Sequence, residues 1–249
     1  MTSRSVALAY HAVGPAPAGT RLRGTFLAPS EFERQMDFLA RHRRVVPLSE
    51  LADDDEGAVR VAITFDDGYR SVLTHAAPVL ERYGFSATLF MPTGWLGERN
   101  RWDGEDHPEL DLMTEEELAE LAGRGFEIAS HGHRHIDMSS AGAERVREDV
   151  EASVQRLSAL LGRPPLHLSY PYGRSSEAAR EVVRDCGFAE AFALEWEDRP
   201  FARSRTPVFP ADSGWRFAFK SSGRYAPLRR SRPVTVAYER LRPLLRRGG

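Results

Sequence analysis

Two adjacent carboxylates follow an apolar segment early in the chain. In the stretch VRVAITFDDG at 59–68, the apolar residues end at Asp66 and Asp67. The unbroken, β-branched part predicts a buried parallel strand. Carboxylates at the end of such a strand cost desolvation free energy unless a cation neutralises them. The pair is therefore a helix cap, an ordinary Asp-Asp-Gly turn, or part of a catalytic or metal site.

A pair of histidines is the second group that could do chemistry. His131 and His135 lie in the stretch SHGHRH at 130–135. On a helical turn their i, i+4 spacing places both imidazoles on one side, and we expect His133 between them to point away. Two histidines and one carboxylate are a common ligand set for catalytic zinc or another divalent metal. An HxxxH pattern alone is mostly accidental, but together with the aspartate pair it favours a metal site.

Predicted strands and helices alternate along most of the chain, and this favours a mostly parallel sheet or barrel. The predicted strands cover 5–10, 45–48, 59–65, 85–91, 125–129, 166–170 and 188–194. Three of them end in polar clusters, at Asp66-Asp67, at His131 and at Tyr172-Gly173. The carboxyl ends of parallel strands lie on one face of the sheet, which is where ligands bind. Residues far apart in sequence are therefore expected to meet there.

Length and composition limit the class of protein. The chain has 249 residues and 41% hydrophobic content, and we interpret residues 1–249 as a single domain. A net charge of −2 gives no argument for nucleic acid as a partner. Cys186 is the only cysteine, so no intramolecular disulfide can form. No stretch approaches the roughly 18 apolar residues of a membrane span, and the N-terminal residues lack the pattern of a secretory signal. We expect a cytoplasmic location.

Three motifs resemble, in order and spacing, those of the polysaccharide deacetylases, the carbohydrate esterase family 4 that includes the nodulation-type chitooligosaccharide deacetylases. They are TFDDG at 64–68, SHGHRH at 130–135 and YPYG at 170–173. The N-terminal part is similar to the branch with the bacterial poly-N-acetylglucosamine deacetylases. The resemblance covers most of 6–194 and implies an α/β fold, a distorted (β/α) barrel of about seven parallel strands.

The resemblance also implies roles for single residues. Asp67, His131 and His135 would hold a divalent metal, which we expect to be Zn²⁺, with Co²⁺, Ni²⁺ or Fe²⁺ as alternatives. Asp66 would be the general base. The backbone N–H of Tyr172 would help to stabilise the oxyanion.

The sequence departs from the family pattern at two functional positions. Ser169 stands where the third motif commonly begins with an arginine that orients the base, and Arg203 or Arg205 is a candidate replacement. No histidine follows His167, so the late histidine that protonates the leaving amine in many members is absent. His11, at the end of the first predicted strand, is either that general acid or a hydrogen-bonded residue of the rim.

Aromatic residues complete the predicted site. Trp95, Trp102 and Tyr172 are candidates for stacking on sugar faces. Tryptophans in such loops are, however, about as often core residues. Asp212 and Trp215 loosely resemble a fourth motif, in which the aromatic residue lines the acetyl pocket. We therefore expect Trp102, Tyr172 and Trp215 to bind substrate.

The predicted function is hydrolysis of the acetamide of N-acetylated amino sugars in an oligosaccharide, polysaccharide or glycoconjugate precursor. The alternatives are an O-acetyl esterase acting on acetylated sugars or xylan, and a degenerate carbohydrate-binding domain without activity. The C-terminal segment 224–249 carries eight arginines against one glutamate. It is either a solvated tail or a segment that contacts an anionic membrane surface or a phosphorylated glycan carrier.

Overall fold

The structure is a computed structural model that describes residues 5–17, 25–52, 57–103, 109–195, 197–225 and 228. Most of the basic segment 224–249 lies outside these residues. Among the described helices, none is both long and apolar enough to cross a membrane.

Short parallel strands alternate with helices along the described chain. The strands are β1 (Ser5–Tyr10), β2 (Ala12–Val13), β3 (Phe26–Leu27), β4 (Arg44–Val45), β5 (Arg60–Phe65), β6 (Thr88–Met91), β7 (Glu127–Ser130), β8 (His167–Ser169), β9 (Glu190–Ala193), β10 (Arg203–Ser204) and β11 (Thr206–Pro207). The helices are α1 (Pro29–His42), α2 (Ala77–Arg82), α3 (Glu115–Gly123), α4 (Ala143–Leu161), α5 (Glu177–Asp185) and α6 (Trp215–Lys220). A π-helical turn, Val72–Ala76, leads into α2.

The predicted distorted (β/α) barrel is confirmed. The main sheet has nine strands in the described residues, in the order β10-β9-β8-β7-β6-β5-β1-β11, with β4 paired to β5. The number exceeds the expected seven because the sheet also contains two two-residue strands, β10 and β11, in the segment after residue 194. Every strand pair in this sheet is parallel, so all the strand C-termini lie at one end, here called the top.

The barrel closes at the segment that contains β10 and β11. β10 pairs with β9, and β11 pairs with β1 on the other edge of the sheet. One residue, Arg205, separates the two strands. Because it lies at this junction, its side chain can enter the barrel, and it is 1% exposed.

The alternation of strand side chains divides the core into an outer and an inner part. Val61, Ile63 and Phe65 belong to the cluster packed under the helices. Ala62 belongs to the cluster that fills the barrel interior with Ala7, Phe90, Ala129 and Phe192. The same period of two directs Thr64 and Asp66 into the interior, above the apolar layer.

Candidate metal centre

Asp66 lies inside the top of the barrel and is held by Arg205. Its two carboxylate oxygens accept hydrogen bonds from the guanidinium at 2.8 and 2.7 Å. Arg205 also donates to the hydroxyls of Thr64 and Ser169, and its guanidinium carbon lies 4.9 Å from the ring centre of Phe90. The bidentate contact fixes the orientation of the Asp66 carboxylate.

The contact of Arg205 with Asp66 identifies which of the two candidate arginines lies beside the base position. Arg203 instead pairs with Glu190 at 3.3 Å and donates to Ser5 at the opposite end of the barrel. Ser169 offers only a hydroxyl at the position of the usual family arginine, and Arg205 reaches that hydroxyl from the barrel junction.

Asp67 faces the two predicted histidine ligands. Its Oδ1 lies 3.3 Å from Nε2 of His131 and 3.2 Å from Nε2 of His135. One donor atom from each of the three buried residues lies within 4.8 Å of the others. Two imidazoles and one carboxylate that converge in this way fit a divalent cation and leave room for further ligands.

The tautomer of His131 is fixed by the strand beside it. Its Nδ1 lies 2.8 Å from the backbone oxygen of Ser169, which can only accept a hydrogen bond. Nδ1 therefore carries a proton, and Nε2 is the ring atom that faces Asp67. An orienting contact of this kind accompanies most metal-binding histidines. Ser169 thus contacts both Arg205 and His131.

The electrostatics of the site keep both carboxylates ionised. Burial raises the pKa of Asp66, but the charges of Arg205 and His131 outweigh it and hold this pKa below its usual value. Burial also raises the pKa of Asp67, but hydrogen bonds with His131 and His135 hold it well below its usual range. Ionised carboxylates are what a metal ligand and a general base require.

The predicted helical turn at the histidines is wrong. Residues 131–135 form an irregular loop in which Gly132 and His135 have φ values of 75° and 57°. His135 thus reaches Asp67 through a left-handed backbone conformation rather than through helical spacing. His133 is directed elsewhere, since its Nδ1 lies 2.9 Å from the hydroxyl of Thr93.

Left-handed backbone marks each of the three loops that form the site. Asp67, His135 and Tyr172 have φ values of 70°, 57° and 59°. Among the described residues, the only other non-glycine residue with positive φ is Phe201. Such conformations cost about 1–3 kcal/mol each and are concentrated at functional sites.

Asp149 of α4 positions the histidine loop, and sequence reasoning did not identify it. Its two carboxylate oxygens accept the backbone N–H groups of His133 and Arg134, both at 2.8 Å. The carboxylate lies so close to Gly132 that a Cβ there would approach one of its oxygens to 2.5 Å. The only available signal was a single acid on the otherwise buried face of a predicted helix.

Two aromatic rings flank His135. The ring of Trp102 stacks on it at 4.5 Å, and the ring of Tyr172 meets it edge-on at 4.8 Å. Trp95 packs edge-on against Trp102. Trp215 is not part of this group, because its side chain is 75% exposed and its ring lies beside Arg216. The expectation that Trp215 lines the site receives no support from its position.

Of the remaining predicted residues, His11 lies near the two aspartates, whereas Asp212 is engaged in another contact. His11 is half-buried and close enough to the centre that its charge helps to lower the pKa of Asp66 and Asp67 against the effect of burial. Asp212 is buried in an ion pair with Lys220 and accepts the backbone N–H of Phe209. Its carboxylate is therefore engaged in fixing the segment before α6.

Comparison with known proteins agrees with this geometry. Residues 53–191, more than half of the chain, match the family described as polysaccharide deacetylase. The protein YxkH of Bacillus subtilis (strain 168) is 27% identical over 221 residues, which cover 84% of this chain and 73% of that protein. The poly-beta-1,6-N-acetyl-D-glucosamine N-deacetylase of Staphylococcus aureus (strain MRSA252) is 26% identical over 215 residues, covering 77% of this chain and 72% of that enzyme.

A solved structure shares the fold. The Streptococcus pyogenes deacetylase PplD, in complex with acetate, superimposes with a TM-score of 0.76 over 89% of this chain and 99% of that one. The sequences are 17% identical, so this likeness concerns the fold alone. Both His11 and Arg205 lie outside the segment that matches the family.

Proposed function

The chain belongs to the polysaccharide deacetylase family, and from that premise we propose that it is a metal-dependent deacetylase that removes N-acetyl groups from amino sugars of a glycan. Its relative from Staphylococcus aureus is named for the same reaction on poly-N-acetylglucosamine. The substrate class is therefore an N-acetylated oligosaccharide, polysaccharide or glycoconjugate precursor.

The division between the two adjacent aspartates carries this proposal. Asp66 is bound on both oxygens by Arg205, whereas Asp67 faces His131 and His135. One carboxylate is thus available as a base and the other as a ligand. A structural turn or helix cap would not need two buried carboxylates with separate cationic and imidazole partners.

Asp67, His131 and His135 would hold the metal, for which Zn²⁺ is the first candidate. A divalent cation at such a site lowers the pKa of water from about 15.7 to about 7 and polarises a carbonyl oxygen. Asp66 takes a proton at its carboxylate when water attacks the acetamide carbonyl, because Arg205 holds it ionised and correctly oriented. The backbone N–H of Tyr172 donates to the developing oxyanion.

The residues around these groups complete the reaction. His11 is the candidate that gives a proton to the departing amine, since it lies near both aspartates at the end of β1. Trp102 and Tyr172 flank His135 and offer ring faces and edges to the sugar. A sugar bound against these rings would have its acetamide close to His135.

The test is acetate release from chitooligosaccharides and poly-N-acetylglucosamine fragments by metal-loaded protein, with metal content measured in parallel. Asp66→Asn should lower kcat by about 10²–10⁴-fold, the usual contribution of a general base, while metal content stays the same. Asp37→Asn on the exposed side of α1 is the matched control and should keep full activity.

Two outcomes would contradict the proposal. Full activity of Asp66→Asn would remove this residue from the proton transfer. Acetate release from acetylated xylan, but from no amide substrate, would identify an O-acetyl esterase instead.

A further inference from the structure

A groove beside the metal centre combines aromatic rings with positive charge. It encloses about 430 Å³ and includes His135, Trp102 and Tyr172 at the metal centre. Arg134, Arg145 and Arg174 also line it, and Asp137 is the one carboxylate among the lining residues. The groove therefore continues from the sugar-binding rings to a cluster of three guanidinium groups.

Each arginine reaches the groove from a different segment. Arg134 lies in the histidine loop, and its backbone N–H is held by Asp149. Arg174 follows the Tyr172 turn, and Arg145 lies in the first turn of α4. All three side chains are exposed, so they are hydrated and available to a ligand. Two of these segments also carry site residues, so the positive charge lies beside the candidate metal centre.

The single carboxylate of the groove is already engaged. Asp137 accepts hydrogen bonds from Arg174 at 2.8 Å and from the backbone N–H of Ser139 at 3.0 Å. This contact uses one of the five N–H donors of the Arg174 guanidinium. Arg134 and Arg145 form no ion pair with a carboxylate of the described chain.

Other exposed arginines of the described chain commonly do have such a partner. Examples are Arg41 with Asp37, Arg70 with Glu117 and Arg82 with Glu33, at 2.8, 2.7 and 2.6 Å. Three cations around one groove repel one another, and an anion placed among them relieves that repulsion. Guanidinium groups also match phosphate and carboxylate oxygens with paired hydrogen bonds.

We propose that this groove binds an anionic group, a phosphate or a carboxylate, carried by the glycan next to the sugar that is deacetylated. The inference rests on the proposed function and adds to it the charge of the substrate. The N-acetylated sugar lies against Trp102 and Tyr172, and the anion lies among Arg134, Arg145 and Arg174.

The test compares three N-acetylglucosamine oligomers of one length: a neutral one, one with a phosphate monoester and one with a carboxylate. Each arginine should favour an anionic oligomer by up to about fivefold in kcat/KM, the effect of one exposed ion pair. The preference should fall as salt is added, because the Debye length shortens from about 10 Å at 0.1 M to about 3 Å at 1 M. The double variant Arg134→Gln, Arg174→Gln should lose most of the preference.

Arg163→Gln is the matched control. Arg163 is also exposed, but it lines a cleft at the other end of the barrel with Thr88 and Glu127. Its replacement removes the same charge and should leave the preference for the anionic oligomers unchanged.

The outcomes separate this inference from the proposed function. A preference for phosphate alone, or for both anions, supports the groove and distinguishes its ligand. Equal kcat/KM for all three oligomers, or an equal effect of Arg163→Gln, would overturn the inference while the deacetylase activity stands. If no oligomer releases acetate, the proposed function fails, and equilibrium binding of the same three oligomers still decides whether the groove selects anions.

Discussion

The barrel contains a buried histidine beside a carboxylate at each end, and the two ends differ in how these residues are held. At the top, His131 lies beside Asp67, with His135 on the same carboxylate oxygen. At the bottom, Nδ1 of His167 contacts one oxygen of Glu127, whose other oxygen accepts the hydroxyl of Thr88 at 2.8 Å.

The bottom group consists of the first residues of three strands. Thr88 and Glu127 are direct partners in the sheet, and His167 begins the next strand. Regular backbone fixes all three, and one carboxylate satisfies both of its neighbours. These side chains therefore form a group in which each has a hydrogen-bond partner.

The top residues lie beyond the strand ends, where the backbone is free of the sheet. Asp67, His135 and Tyr172 all use left-handed conformations there. Three donor atoms converge on one point rather than pairing one to one. The two ends therefore differ both in their side chains, two histidines against one, and in the backbone that presents them.

The largest expected difference between the two ends concerns metal binding. His131→Ala should lose stoichiometric metal and reduce acetate release to background, because two ligands remain where three converge. His167→Ala is the matched control, since it also removes a buried histidine, but from the bottom of the barrel. It should keep its metal, although its melting temperature falls.

Metal analysis and thermal unfolding of both variants make this comparison. Loss of metal from His167→Ala in folded protein would show that the bottom group also supports the metal. Retention of metal by His131→Ala would remove His131 from the ligand set.

His11 provides the next largest expected effect, because the top has a histidine outside the ligand set. His11→Gln should lower kcat on N-acetyl substrates by about 10²–10⁴-fold if His11 protonates the leaving amine. An O-acetyl substrate should lose less, because an alkoxide is a better leaving group than an amide anion. His42→Gln, at the exposed end of α1, is the control and should behave as the original protein.

Steady-state kinetics on the two substrate types measure this difference. An unchanged kcat in His11→Gln would assign His11 to the rim as a hydrogen-bonded residue. An equal loss on both substrates would point to a general effect on the site rather than to protonation of the leaving group.

The sequence predicted the parts of the site that lie directly at strand ends. Alternation along β5 places Asp66 inward, and the strand before SHGHRH brings His131 to the same face. The loop from His131 to His135 was mispredicted because spacing alone cannot reveal the left-handed turn at Gly132. The arginine that orients Asp66 could be narrowed only to Arg203 or Arg205.

The reason for that ambiguity is long-range. Arg205 reaches Asp66, 139 residues earlier in the chain, because the barrel closes between β10 and β11. Two-residue strands carry too little periodicity to predict such a junction. The role of Asp149 was not predicted for a related reason. An acidic residue in a predicted helix gives no sign that its side chain contacts a distant loop.

Arg205 and Arg203 allow the two ends to be compared with substitutions two residues apart. Arg205→Gln should lower kcat by about 10–100-fold, the effect expected for a residue that orients another. It should also reduce the free energy of unfolding by about 3–5 kcal/mol, because Asp66 then keeps a buried charge without its partner. Arg203→Gln removes a partly exposed pair with Glu190 and should cost no more than about 1 kcal/mol.

Arg205→Lys separates charge from geometry in this comparison. Lysine keeps the positive charge but lacks the planar fork that binds both oxygens of Asp66. It should therefore recover more of the stability than of kcat, with KM and metal content close to those of the original protein. Chemical denaturation and steady-state kinetics measure the two effects. Full kcat in Arg205→Gln, or equal losses in the Arg203 and Arg205 variants, would mean that Asp66 does not depend on this arginine for its orientation.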